Sequence, residues 1–204
     1  MKPKLIIATG NPGKAKEFRA LLGEHLEVLT LADFPEIVMP PEDADTFAEN
    51  AVVKAKFVSE TLGMPSLADD SGLVVDALGG APGVRSARYV EGTDEDRYLA
   101  LLEAMKEIPT DRRSARFVCA MAFVKVDGGS EVVEGYCEGE IVRAPKGENG
   151  FGYDPVFQPK GRDSTMAMLT MDQKSAISHR GNATKKMIDV IETHFSLELG
   201  LRKL

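Results

Sequence analysis

The chain has 204 residues, 43% hydrophobic and 28% charged, which is ample for a sizeable core and excludes a disordered or collagen-like polypeptide. Its 25 Lys and Arg stand against 32 Asp and Glu, a net charge of −7. That balance disfavours nonspecific binding to nucleic acid or to an anionic membrane, while leaving room for a compact basic pocket for a small phosphorylated ligand. The longest apolar run, Phe117 to Val124, is far short of the roughly 20 residues a membrane helix needs, and Leu5-Ile6-Ile7-Ala8 is too brief for a signal peptide. A cytoplasmic protein is expected. Cys119 and Cys137 are too few and too far apart for a zinc pattern, and reduced thiols are expected rather than a disulfide.

The first element is a strand at Leu5–Ala8 that runs into Thr9-Gly10-Asn11-Pro12-Gly13-Lys14. Asn11 can cap a helix that starts at Pro12, where the missing N–H costs nothing. Phe18, Leu21 and Leu22 supply its buried face, and Gly23 suits its end. A second helix starts near Thr46: Thr46-x-x-Glu49 is a capping-box pattern, and Phe47, Ala51, Ala55, Val58 and Leu62 recur at helical spacing. Thr46, Asn50 and Lys54 form a separate row at i, i+4 that can look outward into a cleft. After Pro65 a short strand, Ser66–Ala68, leads into Asp69-Asp70-Ser71-Gly72, and Leu73–Val75 resumes as extended chain. Asp94–Lys106 reads as a helix. Ala115–Val126 and Glu131–Val142 read as long strands joined by Asp127-Gly128-Gly129-Ser130, a hairpin signal. A final helix is expected from about Ala183 to Phe195, and Arg202-Lys203 as a solvated tail. The expected fold is α/β: one two-lobed domain over residues 1–204, with a long mixed sheet, flanking helices and an interlobe cleft.

Four stretches carry chemistry. Thr9–Lys14 delivers a strand to a helix N-terminus, where free N–H groups and the dipole favour an anion and Lys14 adds a charge. It is not a Walker A loop, because only two residues separate Gly10 from Gly13 and Ala15 stands where that motif has Ser or Thr. A Gly-rich turn that merely starts a helix is the plain alternative. Asp69 and Asp70 place two acids together, which when buried usually need a cation or a shared proton. Magnesium suits carboxylates that also meet phosphate oxygens; a surface turn is the alternative. Phe151-Gly152-Tyr153-Asp154 offers aromatics to stack on a nucleobase and an acid to accept from base or ribose, or else plugs a core under a loop. Lys174-Ser175-Ala176-Ile177-Ser178-His179-Arg180 gathers donors for carbonyl edges and phosphate, or else is a solvated helix start. His25 and His194 read as surface or packing residues.

Taken together and in this order, TGNPGK (Thr9–Lys14), TFAENAVVKA (Thr46–Ala55), ADDSG (Ala68–Gly72), GGAPGVRSAR (Gly79–Arg88), GFGYDP (Gly150–Pro155) and KSAISHR (Lys174–Arg180) resemble the inosine/xanthosine triphosphate pyrophosphatase family, which acts on non-canonical purine nucleotides. The six motifs span nearly the whole chain. The resemblance implies a two-lobed α/β fold, a homodimer, and magnesium-dependent hydrolysis of dITP, ITP and XTP to the monophosphate and pyrophosphate. It implies that Thr9, Gly10, Asn11, Pro12, Gly13 and Lys14 hold the triphosphate and that Asp70 is proton acceptor and metal site. Ser71 would contact substrate, and Phe151, Gly152, Tyr153, Asp154, Lys174, His179 and Arg180 would surround the nucleoside. The family commonly has a Glu-Glu pair before the Thr-Phe of its second motif. Here Pro41 stands at the first position, so either Glu42 moves in as a metal ligand or water completes the coordination. Rival readings are a pyrophosphatase for other modified nucleotides and a nucleotide sensor without turnover.

Overall fold

A computed structural model describes residues 2–195; the Arg202-Lys203 tail lies outside them. The elements are β1 (Lys4–Ile7), α1 (Pro12–Leu22), β2 (Glu27–Thr30), α2 (Phe47–Leu62), β3 (Ser66–Val75), α3 (Asp94–Ala104), β4 (Ser114–Val124), β5 (Ser130–Ile141), β6 (Phe157–Pro159), α4 (Met171–Ile177) and α5 (His179–Phe195), with short 3-10 turns between them. The strands form one sheet in the order β2-β1-β3-β4-β5-β6. Strand β1 is parallel to β2 and β3, and β5 is antiparallel to β6. The fold is therefore the expected α/β arrangement of a mixed sheet with helices.

The chain divides into two compact units, each built from separate segments. The first holds the chain up to Asp70, then Cys119–Gly135 and the helix from Arg180. Strand alternation sorts its core into two layers. Leu5, Ile7, Leu67, Cys119, Met121 and Phe123 pack with Phe18 and Leu22 of α1 and Met187, Ile188 and Ile191 of α5. Ile6, Ala8, Ala68, Ala120, Ala122 and Val124 pack with Ala51, Ala55 and Val58 of α2. Both faces of these strands are covered, which is why β4 reads as a continuous apolar run rather than an alternating one. Full burial of a single leucine such as Leu67 contributes roughly 1.5–3 kcal/mol.

The second unit holds Ser71–Val118 and Tyr136–His179. Its core joins Leu73, Val75, Leu101, Met105, Phe117, Ile141, Tyr153, Phe157 and Met166. Arg113 is buried there and donates to four backbone carbonyls: Nε to Ile141 (2.7 Å), Nη1 to Met105 (2.7 Å) and Ile108 (3.3 Å), and Nη2 to Val142 (3.1 Å). One guanidinium thus ties together the segment after α3 and the end of β5 through their backbone carbonyls.

Three local expectations change. Asp69-Asp70-Ser71-Gly72, expected to separate two short strands, is the middle of the continuous strand β3, and the alternative of a surface turn does not hold; its turn-forming composition is overruled because the strand lies between β1 and β4 and both acids find cationic partners. Helix α5 begins at His179 rather than near Ala183, and Met171–Ile177 forms an additional helix. Lys174, Ser178, His179 and Arg180 are accordingly buried, not a solvated patch. At Thr46 only half of the capping box forms: Oγ1 accepts from the Glu49 N–H at 3.2 Å, while the Glu49 carboxylate takes the Thr46 hydroxyl proton at 2.9 Å instead of the backbone N–H.

Candidate active site

The helix α1 N-terminus is built as its residues require. Asn11 Oδ1 accepts from the backbone N–H of Gly13 (2.8 Å) and Lys14 (3.2 Å), and Pro12 occupies the first helical position. The donors expected to stand free for an anion are therefore capped by Asn11, and an incoming phosphate must displace that side chain or meet Lys14. Thr9 Oγ1 accepts from the Asn11 N–H at 3.2 Å, and Gly10, Asn11 and Pro12 are exposed.

Asp69 and Asp70 are adjacent in β3, so strand alternation sends them to opposite faces. Asp69 follows Leu67 to the α1–α5 face. Its Oδ2 lies 3.0 Å from Lys14 Nζ and accepts from Arg180 Nη2 (3.0 Å) and Nε (3.3 Å). Arg180, 1% exposed, also pairs through Nη1 with Glu17 of α1. Burial disfavours the Arg180 charge, but Asp69 and Glu17 overcome it and hold the guanidinium firmly protonated. The four charges Lys14, Arg180, Asp69 and Glu17 sum to zero, which is the condition for keeping them out of water.

Asp70 faces α2. Asn50 Nδ2 donates to its Oδ2 at 3.0 Å, and Lys54 Nζ lies 3.7 Å from its Oδ1. Lys54 also donates to the Asp69 carbonyl (2.7 Å) and to Glu42 Oε1 (2.6 Å). Asp70 is 6% exposed; desolvation lifts its pKa above the usual carboxylate value, against the opposing pull of Lys54 and Lys14. Burial works against the charge on Lys54, yet Asp69, Asp70 and Glu42 together raise its pKa. The carboxylates of Glu42 and Asp70 thus converge on one cationic centre, the Lys54 ammonium. This donor set fits a divalent cation of the magnesium type, which takes one or two carboxylates and fills its shell with water and phosphate oxygens. Among the described residues no group of three or more His, Cys, Asp or Glu could hold a metal by itself.

In the second unit, Asp154 Oδ2 accepts from the Phe151 N–H (2.9 Å) and from Lys174 Nζ (2.7 Å), and both charged side chains are buried. Gly150 has φ +80° and lies so close to that carboxylate that any Cβ would clash, so glycine is required there. The Lys174 ammonium sits 4.6 Å from the Phe151 ring centroid. Tyr153 Oη donates to the Ser86 carbonyl at 2.8 Å, and burial raises its pKa far above the ordinary phenol value. The His179 ring stacks on Phe117, 4.7 Å between centroids and 13° from parallel. Ser71 is partly buried in β3, directly after Asp70.

A model of the Ham1 family matches residues 5–190. The chain belongs to the Ham1 family. It is 48% identical to the dITP/XTP pyrophosphatase of Symbiobacterium thermophilum, covering 91% of this chain and 93% of that one. It is 49% identical to the dITP/XTP pyrophosphatase of Geobacillus kaustophilus, covering 90% and 92%. Among solved structures, a HAM1 protein from Coxiella burnetii superposes with TM-score 0.84 at 37% identity, covering 94% of this chain and 99% of that chain. The nucleoside-triphosphatase / dITP/XTP pyrophosphatase of Mycobacterium abscessus superposes with TM-score 0.74 at 43% identity, covering 91% and 98%.

For this Ham1 member the structure gathers Lys14, Asp69 and Arg180 in one cluster, Glu42 and Asp70 in another, and Phe151, Asp154 and Lys174 in a third. It adds Glu17, and it gives Asn50 and Lys54, read from the sequence only as a row facing a cleft, their partners Asp70 and Glu42. Signals for them existed. Glu17 lies three residues after Lys14 on the same helical face, and Asn50 and Lys54 form a polar i, i+4 row on an otherwise apolar helix. Neither signal names a partner.

Proposed function

We propose that this chain hydrolyses deaminated purine nucleoside triphosphates (dITP, ITP and XTP) to the monophosphate and pyrophosphate, as a magnesium-dependent pyrophosphatase that cleanses the nucleotide pool. The observation that carries the reading is Asp70: a buried carboxylate with a raised pKa, oriented by Asn50 and Lys54 beside the Glu42 carboxylate. Family membership and the names of the 44–49% identical relatives support the reaction class.

Lys14 and the loop Thr9–Pro12 with Gly13 are assigned to the triphosphate, Ser71 to the substrate beside Asp70, and Asp70 to accepting the proton of the attacking water. Asn50 fixes one Asp70 oxygen and leaves the other turned toward Lys54, so the base keeps a single orientation. Glu42 and Asp70 would hold the divalent cation, which when bound offsets phosphate charge and makes the α-phosphorus a better electrophile. Displaced from Glu42, the Lys54 ammonium is a donor for phosphate oxygens. Phe151 and Gly152 are assigned to the base and Asp154 and Lys174 to the nucleoside, with Tyr153 anchoring the turn. His179 supplies a donor for the carbonyl at purine position 6, which adenine lacks. Arg180 enters through its grip on Asp69, the neighbour of the base.

Among the described residues no helix is long and apolar enough to cross a membrane; a cytoplasmic address and a homodimer are part of the proposal, the latter tested by light scattering. The reaction itself is tested by pyrophosphate release from equimolar ITP, dITP, XTP, GTP, ATP and dTTP, with magnesium and with chelator. Magnesium-dependent release from the first three alone is the expected result. Equal turnover of ITP and ATP would defeat carbonyl recognition, and tight ITP binding without release would favour a sensor.

A further inference from the structure

The Phe151–Asp154 turn is tied by hydrogen bonds at three points within the second unit, and the Lys174 ammonium also lies over the Phe151 ring. Two are buried: Asp154 to Lys174 at 2.7 Å, and Tyr153 Oη to the Ser86 carbonyl at 2.8 Å. The third lies at the surface, where the Gly152 N–H donates to Asp94 Oδ2 at 2.7 Å. That length is short for an N–H···O bond, as charged acceptors produce. The other Asp94 oxygen accepts from Arg97 Nη1 at 2.9 Å, and Arg97 Nη2 donates to the Gly92 carbonyl at 2.8 Å. Asp94 is the first residue of α3, capped by Thr93, so its backbone is set by the helix start and its carboxylate by Arg97. Gly152 has φ +62°, a left-handed conformation that glycine adopts without steric cost. Phe151 is tied to Asp154 through both its N–H and its carbonyl, so the bond to Asp94 is what fixes the Gly152 peptide itself.

We propose that Asp94, aimed by Arg97, is a positioning residue that sets the Phe151–Gly152 turn for the nucleoside base. The inference rests on the functional reading above, in which these residues meet the base. Asp94 touches no reacting atom. Its loss leaves both buried anchors intact, so the turn stays folded, but the Gly152 amide loses its acceptor and the Phe151 ring is then held from one side only, by Lys174 and Asp154. Binding then carries the cost of ordering the turn, while the step at Asp70 proceeds as before.

The experiment compares wild type, Asp94→Ala and Asp94→Asn by steady-state ITP hydrolysis, by calorimetric binding of inosine monophosphate, and by deuterium exchange at the Gly152 amide. A bond to a charged acceptor, discounted because Asp94 is half-exposed, corresponds to about a tenfold effect. Asp94→Ala should raise KM for ITP and Kd for inosine monophosphate by about that factor, hold kcat within about twofold, and lose Gly152 protection. Asparagine keeps one acceptor oxygen for the Gly152 N–H but turns its NH2 toward Arg97, so Asp94→Asn should recover part of the binding and fall between wild type and Asp94→Ala. An unchanged KM in Asp94→Ala, a parallel fall in kcat and melting temperature, or an asparagine variant as impaired as the alanine would each overturn the inference. Absence of ITP hydrolysis by the wild-type protein would instead overturn the functional reading and the ligand named here with it.

Discussion

Replacing Glu17 by leucine removes one of four clustered charges and leaves Lys14 and Arg180 facing Asp69 alone, an excess of one positive charge in a site where Arg180 is 1% exposed. Replacing Arg180 by methionine leaves the opposite excess, with Asp69 and Glu17 facing Lys14. Breaking a buried pair from one side costs about 3–5 kcal/mol, a large share of the roughly 5–15 kcal/mol that holds a domain together. The double variant Glu17→Leu/Arg180→Met restores neutrality, since Asp69 keeps Lys14 at 3.0 Å. It should therefore be more stable than either single variant, with a coupling of at least ~2 kcal/mol. Urea unfolding followed by circular dichroism measures this. With a slope of about 2 kcal/mol/M, each single variant should move the midpoint down by about 1.5–2.5 M, and the double variant by visibly less. If the double variant loses the sum of the two singles, charge balance is not what keeps this cluster together.

Asp70→Asn preserves the bond geometry with Asn50 but removes the proton acceptor, and should lose at least ~100-fold in ITP turnover; near wild-type rates with intact magnesium dependence would remove Asp70 from that role. Arg113→Lys keeps the charge but not the planar fork that reaches four carbonyls, and should cost about 2–4 kcal/mol by urea unfolding. Burial raises the Cys137 thiol from 9.0 to about 11, with Glu138 and Asp154 adding to the shift. At pH 8 only about one molecule in a thousand then carries the reactive thiolate, so iodoacetamide should label Cys137 slowly in the native protein and rapidly in urea. The same shift means that the folded state keeps a proton which the unfolded chain releases. This contribution to stability is complete below pH 9 and declines as pH rises toward 11, and Cys137→Ala should flatten that part of the melting-temperature profile.

The elements were legible wherever local physics is strong. Asn11 before Pro12, Thr46 before its apolar row, and the Asp127–Ser130 turn between two long strands each declare themselves within a few residues. Strands β2 and β6 have four and three residues, too few for any period to register, and exist because neighbouring strands complete their hydrogen bonds. The six motifs in order carry a resemblance to the purine nucleotide pyrophosphatases that agrees with the Ham1 family match over residues 5–190. What each charged side chain touches is another matter. Composition leaves Asp69-Asp70-Ser71-Gly72 open between a carboxylate site at a strand end and a surface turn, and only the sheet makes it a central strand whose alternation sends Asp69 toward Arg180 and Asp70 toward Asn50 and Lys54. Arg180 and Asp69 are 111 residues apart in the chain, and Arg180 and Glu17 are 163 apart. Local sequence sets where helices and strands begin; the pairing of buried charges is decided by which strands become neighbours, since only then is water excluded and each charge obliged to find its partner.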